Sequence, residues 1–179
     1  PITEGQEFSP KSQSEINQII KALPSCIARG NGRSYGDASL HENVISSLQL
    51  NKILGIDKVV GTVTCEAGVL LGDILKTIVP HGYFLPVVTG TKLVSLGGAN
   101  AADVHGKNHS TAGTIARYIT RFEILTADGK TRECSPAKNK DLYWASFGAM
   151  GLSGFILNAT ISLIRIETAY IDQESIKTN

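Results

Sequence analysis

Apolar residues Ile16, Ile19, Ile20 and Leu23 fall on one face of a 3.6-residue period, so SQSEINQIIKAL predicts an amphipathic helix. Ser12, with Glu15 three residues later, has the form of a capping box at its start, and Pro24 ends it. SCIAR then reads as a short buried strand running into GNGRSYGDAS, a loop whose three glycines suit no regular element. VISSLQL, KILGID and TVTCEAG give three strand-like pieces, parted by turn residues such as Asp57 and Gly61. Helical spacing returns at Leu71, Ile74, Leu75 and Ile78, and Pro80 and Gly82 close that helix.

Periodicity is lost from Pro86 to Gly113, where Gly90, Gly97, Gly98, Gly106 and Gly113 stand among small residues. Such backbone is suited to close approach by another group. In TRFEILTADGKTRECSP two alternating runs flank Asp128 and Gly129, which predicts a hairpin with positive φ angles at its turn. KDLYWASF predicts a short helix, and GFILNATISLIRIET a long central strand. Strands and helices mix without the regular alternation of a doubly wound parallel sheet, so the expected class is α+β.

Composition sets limits on this picture. With 179 residues, 42% hydrophobic and 18% charged, the chain can bury the core of one globular domain, whole or in two lobes. A formal charge of +1 gives no electrostatic drive toward nucleic acid or an acidic membrane. Cys26, Cys65 and Cys134 are odd in number and form no C-x-x-C pair, which points away from a disulfide framework and from a metal site. Reduced thiols in a cytoplasmic protein are expected instead. No apolar run reaches the roughly 20 residues of a membrane span, so no transmembrane segment is expected, and PITEGQEF lacks the features of a secretory signal. The start at Pro1 and the polar tail DQESIKTN read as cuts from a longer chain.

Candidate chemistry lies in two glycine-rich stretches. RGNGRSYGD lets consecutive N–H groups converge on phosphate oxygens with no Cβ in the way. Its G-x-G-x-x-x-G spacing is not the nicotinamide-binding fingerprint, strand-like sequence follows it, and no P-loop motif occurs. By itself it is equally a structural turn. In PVVTGTKLVSLGGANAADVHGKNHSTAGT, the paired Gly97 and Gly98 would let a short helix begin with its N–H groups against a phosphate or a flat ring. Two such stretches on one chain favour a dinucleotide lying between them.

RGNGRSYGD, LPVVTGT, SLGGANAADVHGKNHSTAGT, LTADGK and GLSGFILNATI together resemble the FAD-binding (PCMH-type) domain of the vanillyl-alcohol oxidase superfamily. The resemblance runs in order from about Ala28 to Ile166, nearest the decaprenylphosphoryl-ribose oxidase group, with the aldonolactone oxidases as broader relatives. It implies a two-lobed α+β domain, with lobes at about 1–85 and 86–168, holding FAD in an extended shape. Carried over by motif, Ala28, Arg29, Gly30, Asn31, Gly32, Arg33, Ser34, Tyr35, Gly36, Asp37 and Ala38 would form the pyrophosphate loop. Gly90 would touch the cofactor, and Ser95, Leu96, Gly97 and Gly98 would cover its phosphates and ribityl chain. Ala102, Asp103, Val104 and His105 would follow it toward the flavin, with Ile156 on the adenine side.

The same resemblance implies oxidation of a secondary alcohol on a sugar, polyol, lactone or lipid-linked pentose, the flavin taking the hydride and a base the hydroxyl proton. The catalytic residues and the substrate domain would lie C-terminal to this segment, and a reductase partner would complete an epimerisation. His105 has two readings: a group that orients substrate or moves a proton, or one that hydrogen-bonds the loop or a flavin oxygen. Asn108 and His109 would brace their loop, while His41 and His81 read as surface residues. Arg33 stands where the aldonolactone-oxidase branch often carries a histidine bonded to the flavin. A cationic guanidinium is a poor nucleophile, so the FAD is expected to be noncovalent; the plainer alternative for Arg33, compatible with this, is a loop-bracing ion pair such as one to Asp37. Two rival functions stand beside this one: a stand-alone flavin carrier completed in trans, and a module that has lost FAD.

Overall fold

The computed structural model describes residues 4–176. Three short parallel strands, β1 (Gln6–Phe8), β2 (Ile27–Arg29) and β3 (Asn43–Ser46), form a small sheet in the order β1-β3-β2, with helix α1 (Gln13–Ala22) between the first two in sequence. The predicted amphipathic face of α1 packs on this sheet, with Ile16 fully buried and Ile19 and Ile20 beside Ile45 and Leu50. Ser12 is the N-cap, its hydroxyl accepting from Glu15 N–H at 3.3 Å. The Glu15 carboxylate completes the cap on the N–H of Lys11 at 2.9 Å, one residue earlier than a capping box would place it. Ser12→Ala should therefore cost about 1 kcal/mol, a fall in melting temperature of about 2–4 °C by calorimetry.

Next come β4 (Ile53–Asp57), β5 (Thr62–Glu66), α2 (Leu71–Ile78), a 3₁₀ turn at Val79–His81 and β6 (Tyr83–Phe84). Beyond them lie α3 (Leu96–Ala101), α4 (His109–Ala112), a 3₁₀ turn at Ile115–Arg117, β7 (Ile119–Leu125), β8 (Thr131–Cys134), α5 (Lys140–Ala145), β9 (Phe155–Ser162) and β10 (Ile164–Arg165). An antiparallel five-stranded sheet of order β4-β5-β9-β7-β8 is the main scaffold, and β6 pairs with β10. Residues before position 86 thus build the whole small sheet and also one edge of the large one.

The predicted central strand is β9, but it is not regular. Between the pairs Glu123↔Asn158 and Ile124↔Ile156 the register shifts, so Leu157 is an extra residue on β9. This bulge breaks the two-residue alternation. Phe155 and Leu157 face the α1 core, Ile156, Ala159 and Ile161 face the larger core, and Asn158 and Thr160 are left on a polar outer face. A run that is apolar on both sides follows from a strand covered on both faces at one end. The hairpin also differs from expectation: Gly129 alone has positive φ (+74°), and Gly129 N–H bonds Thr126 O while Thr126 N–H bonds Lys130 O. That is a turn closed by a left-handed glycine, and it spares Asp128 a strained conformation.

Candidate functional site

A cleft of about 840 Å³ opens between the C-terminal end of β2, helix α3 and the segment before β9, within the size range of sites for large organic ligands. Its first wall is the glycine loop. Residues Ala28 to Gly36 all line it, together with Ala38; Asp37 does not, its carbonyl instead closing a turn onto Leu40 N–H. No Arg33–Asp37 ion pair forms among the described residues; both residues are exposed on the loop, and only Arg33 lines the cleft. Among the described residues, the N–H groups of Gly30 through Ser39 find no acceptor within the chain. Asn31 ties this wall to the opposite one, its Nδ2 donating to Leu93 O at 2.8 Å.

The second wall is the segment Thr89 to His105. Gly90, Ser95, Gly97, Gly98, Ala102, Asp103, Val104 and His105 all line the cleft, and Ile156 closes it from β9. Leu96 does not: its side chain is fully buried in the larger core. The start of α3 also differs from the expected anion-binding terminus. Leu96 N–H is taken by Val69 O and Gly97 N–H by Ala67 O, which leaves Gly98 as the free donor of the first turn. In return, the carbonyls of Val94 and Lys92 accept from Leu71 and Gly72 and so cap α2, which has no side-chain cap. This mutual bonding holds the second loop rigid.

One atom marks the cleft as a ligand site. Ser95 Oγ is buried, lines the cleft and has no hydrogen-bond partner among the described residues. Leaving a hydroxyl so placed unpaired costs on the order of 1–3 kcal/mol. Gly30 and Gly98 crowd it closely enough that a Cβ on Gly98 would sit 3.0 Å from Ser95 Oγ, and one on Gly30 would collide with it. Glycines pressed against an unpartnered donor make a cradle that fits the phosphates of a dinucleotide.

A family model described as an FAD binding domain matches residues 7–135. The chain belongs to this family of FAD-binding domains. It is 46% identical over 170 residues to decaprenylphosphoryl-beta-D-ribose oxidase of Mycolicibacterium smegmatis, a match covering 89% of this chain and 37% of that protein. To L-gulonolactone oxidase of Scyliorhinus torazame it is 31% identical over 173 residues, covering 93% of this chain and 39% of that one. Among solved structures, Physcomitrella patens BBE-like 1 superposes with a TM-score of 0.79 at 22% identity, over 89% of this chain and 36% of that one. Alkyldihydroxyacetonephosphate synthase does so with 0.77 at 20% identity, over 89% and 31%. At such identities the likeness is one of fold, and the fold is the PCMH-type α+β arrangement expected from the sequence. The cofactor is FAD. The chain spans less than two fifths of the length of each of these relatives.

The FAD-binding domain also has cleft residues that the sequence did not single out. Met150, Gly151, Gly154 and Phe155 line it from a segment in which Gly148, Met150, Gly151 and Gly154 all have positive φ. Met150 holds this conformation (φ +52°) with its N–H on Ala101 O at 3.0 Å, which fastens the segment to α3. The glycine spacing in GAMGLSG was the available signal. Asp103, also at positive φ (+46°), accepts from Ala116 N–H through Oδ1 at 3.1 Å, and so fixes the bend that brings His105 to the cleft.

His105 Nδ1 lies 3.3 Å from Gly106 O, and its ring meets His109 edge-on at 5.2 Å. Asn108 donates to Pro86 O at 3.1 Å and His109 Nδ1 lies 3.3 Å from Gly106 O, so both brace their loop. His41 is not a bystander: its Nδ1 accepts from Asn43 N–H at 3.0 Å at the start of β3. The thiols are not reactive groups of the site. Burial pushes Cys65 up to about 12 and raises Cys26 and Cys134, holding all three protonated at neutral pH.

Proposed function

We propose that the cleft holds FAD noncovalently and that the cofactor serves the oxidation of a secondary alcohol on a sugar or lipid-linked pentose, in a protein whose substrate-binding part is not within residues 4–176. The unpartnered Ser95 hydroxyl beside a run of free loop N–H groups carries the cofactor half of this reading. The relative named as a decaprenylphosphoryl-ribose oxidase, 46% identical, supports the substrate half. Bound flavin supplies the two-electron acceptor. The residues of this chain would supply its placement: the free loop N–H groups and the cationic Arg33 would hold the pyrophosphate, and the Ser95 hydroxyl would donate to it. Ala102 to His105 would then follow it toward the ring, with Ile156 on the adenine side. The base that takes the hydroxyl proton belongs to the substrate-binding part. No helix among the described residues is long and apolar enough to cross a membrane, and three unpaired thiols suit a reducing compartment such as the cytoplasm.

Titration with FAD, followed by flavin fluorescence quenching, should saturate at one FAD per chain. Absence of quenching overturns the cofactor site. Acid precipitation of the loaded protein should leave the flavin in the supernatant, because Arg33 cannot form the covalent link. A yellow pellet would sink the noncovalent assignment. For the substrate half, the loaded full-length protein should bleach under anaerobic conditions with a polyprenyl-phosphopentose and not with an aldonolactone.

A further inference from the structure

The conformation of the glycine loop is held from below by one side chain. Arg29, the last residue of β2, donates from Nη1 to Ser39 O at 3.0 Å, a residue ten positions on, and so ties the end of the loop to its beginning. Its guanidinium also lies against Gly32, where a Cβ would come within 2.5 Å of Nη2 and 3.1 Å of Cζ. Between these two contacts the backbone turns into the left-handed region at Gly32 (φ +60°), Gly36 (+69°) and Ser39 (+63°). For Ser39 this is a sparsely populated conformation that persists only when its surroundings impose it. The coil it produces is the one in which no N–H from Gly30 to Ser39 is spent on an acceptor among the described residues.

We propose that Arg29 is a positioning residue: its planar guanidinium clamps the loop in the donor-presenting coil, and position 32 lacks a side chain so that the guanidinium can lie there. The proposal rests on the reading of the cleft as the FAD site. A fork suits this place as an ammonium does not, because Nη1 must reach the Ser39 carbonyl while Nη2 and Cζ lie against Gly32. Asn31, bonded to Leu93 O, fixes the far side of the same coil.

A double-mutant cycle on FAD affinity tests the clamp. R29M should weaken FAD binding about tenfold or more, and R29K should fail to restore it, since charge without the planar fork does not hold the coil. G32A should be costly beside the native Arg29, where its Cβ meets the guanidinium, and several-fold less costly in the R29M background, where only backbone strain is left. Gly36→Ala is the control: it carries the same kind of strain (φ +69°), yet a Cβ there meets nothing within 4 Å, so its cost should be equal in both backgrounds. ADP, which carries the phosphates without the flavin, should lose affinity in parallel with FAD. Additive costs of G32A and R29M, or full rescue by R29K, overturn the clamp while leaving the FAD site standing. A wild-type chain that binds no FAD overturns both.

Discussion

Replacing Gly30 with valine should lower FAD affinity by at least about a hundredfold, close to 2.7 kcal/mol, and leave the domain folded. Gly30 follows β2 directly, and its φ is not in the left-handed region, so the glycine is required for space. A Cβ there would collide with Ser95 Oγ, lie 3.3 Å from Ser95 Cβ and 3.9 Å from the Gly98 Cα. The branched methyls of valine would then fill the gap between the glycine loop and the start of α3, the place where phosphates would contact both. Ser95 cannot retreat, because it is buried and its strand-like backbone pairs with Leu70. No residue of either apolar core is touched, so the cost in stability should be that of local overpacking, about 1–3 kcal/mol, and the melting temperature without cofactor should fall by about 2–12 °C. Measurement needs only FAD titration and calorimetry on the same sample, and unchanged affinity would remove the cleft from consideration as the phosphate site.

The contrast between what was and was not legible in the sequence follows from the range of the interactions concerned. Helices α1 and α2 were readable because Ile16, Ile19 and Ile20, or Leu71, Ile74 and Ile78, repeat at a local period that burial then rewards. The glycine loop was readable as a loop, and its neighbourhood as a cofactor site, because so many glycines between strands have few other uses. By contrast, strand β1, three residues of which two are charged or polar, had no apolar signature and exists through its parallel pairing with β3. The bulge at Leu157 is set by what lies on each side of β9, which no window on that strand contains.

A similar point applies to the start of α3. Its paired glycines read as a phosphate-binding terminus, but Val69 O and Ala67 O lie close enough to take two of its donors. Gly97 is small for another reason: a Cβ there would approach Ala67 Cβ to 2.7 Å. Close packing of α3 against the end of β5 produced the same residue type that phosphate binding would have required. Only Gly98, whose N–H has no acceptor among the described residues and which borders the cleft, is left placed to donate to a phosphate.

The largest loss of stability is expected from Phe122→Ala, at about 3–5 kcal/mol. Phe122 is fully buried on β7, next to the central strand, stacked on Tyr143 at 5.5 Å and met edge-on by Phe147 at 6.0 Å. Truncation empties a space walled by aromatic rings, of which Tyr143 is further held by its hydroxyl on Ile119 O, so collapse around the void is restricted. For a domain of this size the melting temperature should fall by about 6–20 °C. FAD discriminates this lesion from Gly30→Val. A ligand at a hundred times its dissociation constant stabilises the folded state by about 2.7 kcal/mol, so excess FAD should recover much of the melting temperature of Phe122→Ala, whose cleft is intact, and almost none for Gly30→Val. If FAD fails to raise the melting temperature of Phe122→Ala, the sheet and the cleft are coupled more tightly than their separate cores suggest. Ile156, which joins the larger core on β9 and also lines the cleft, is the residue through which that coupling would pass.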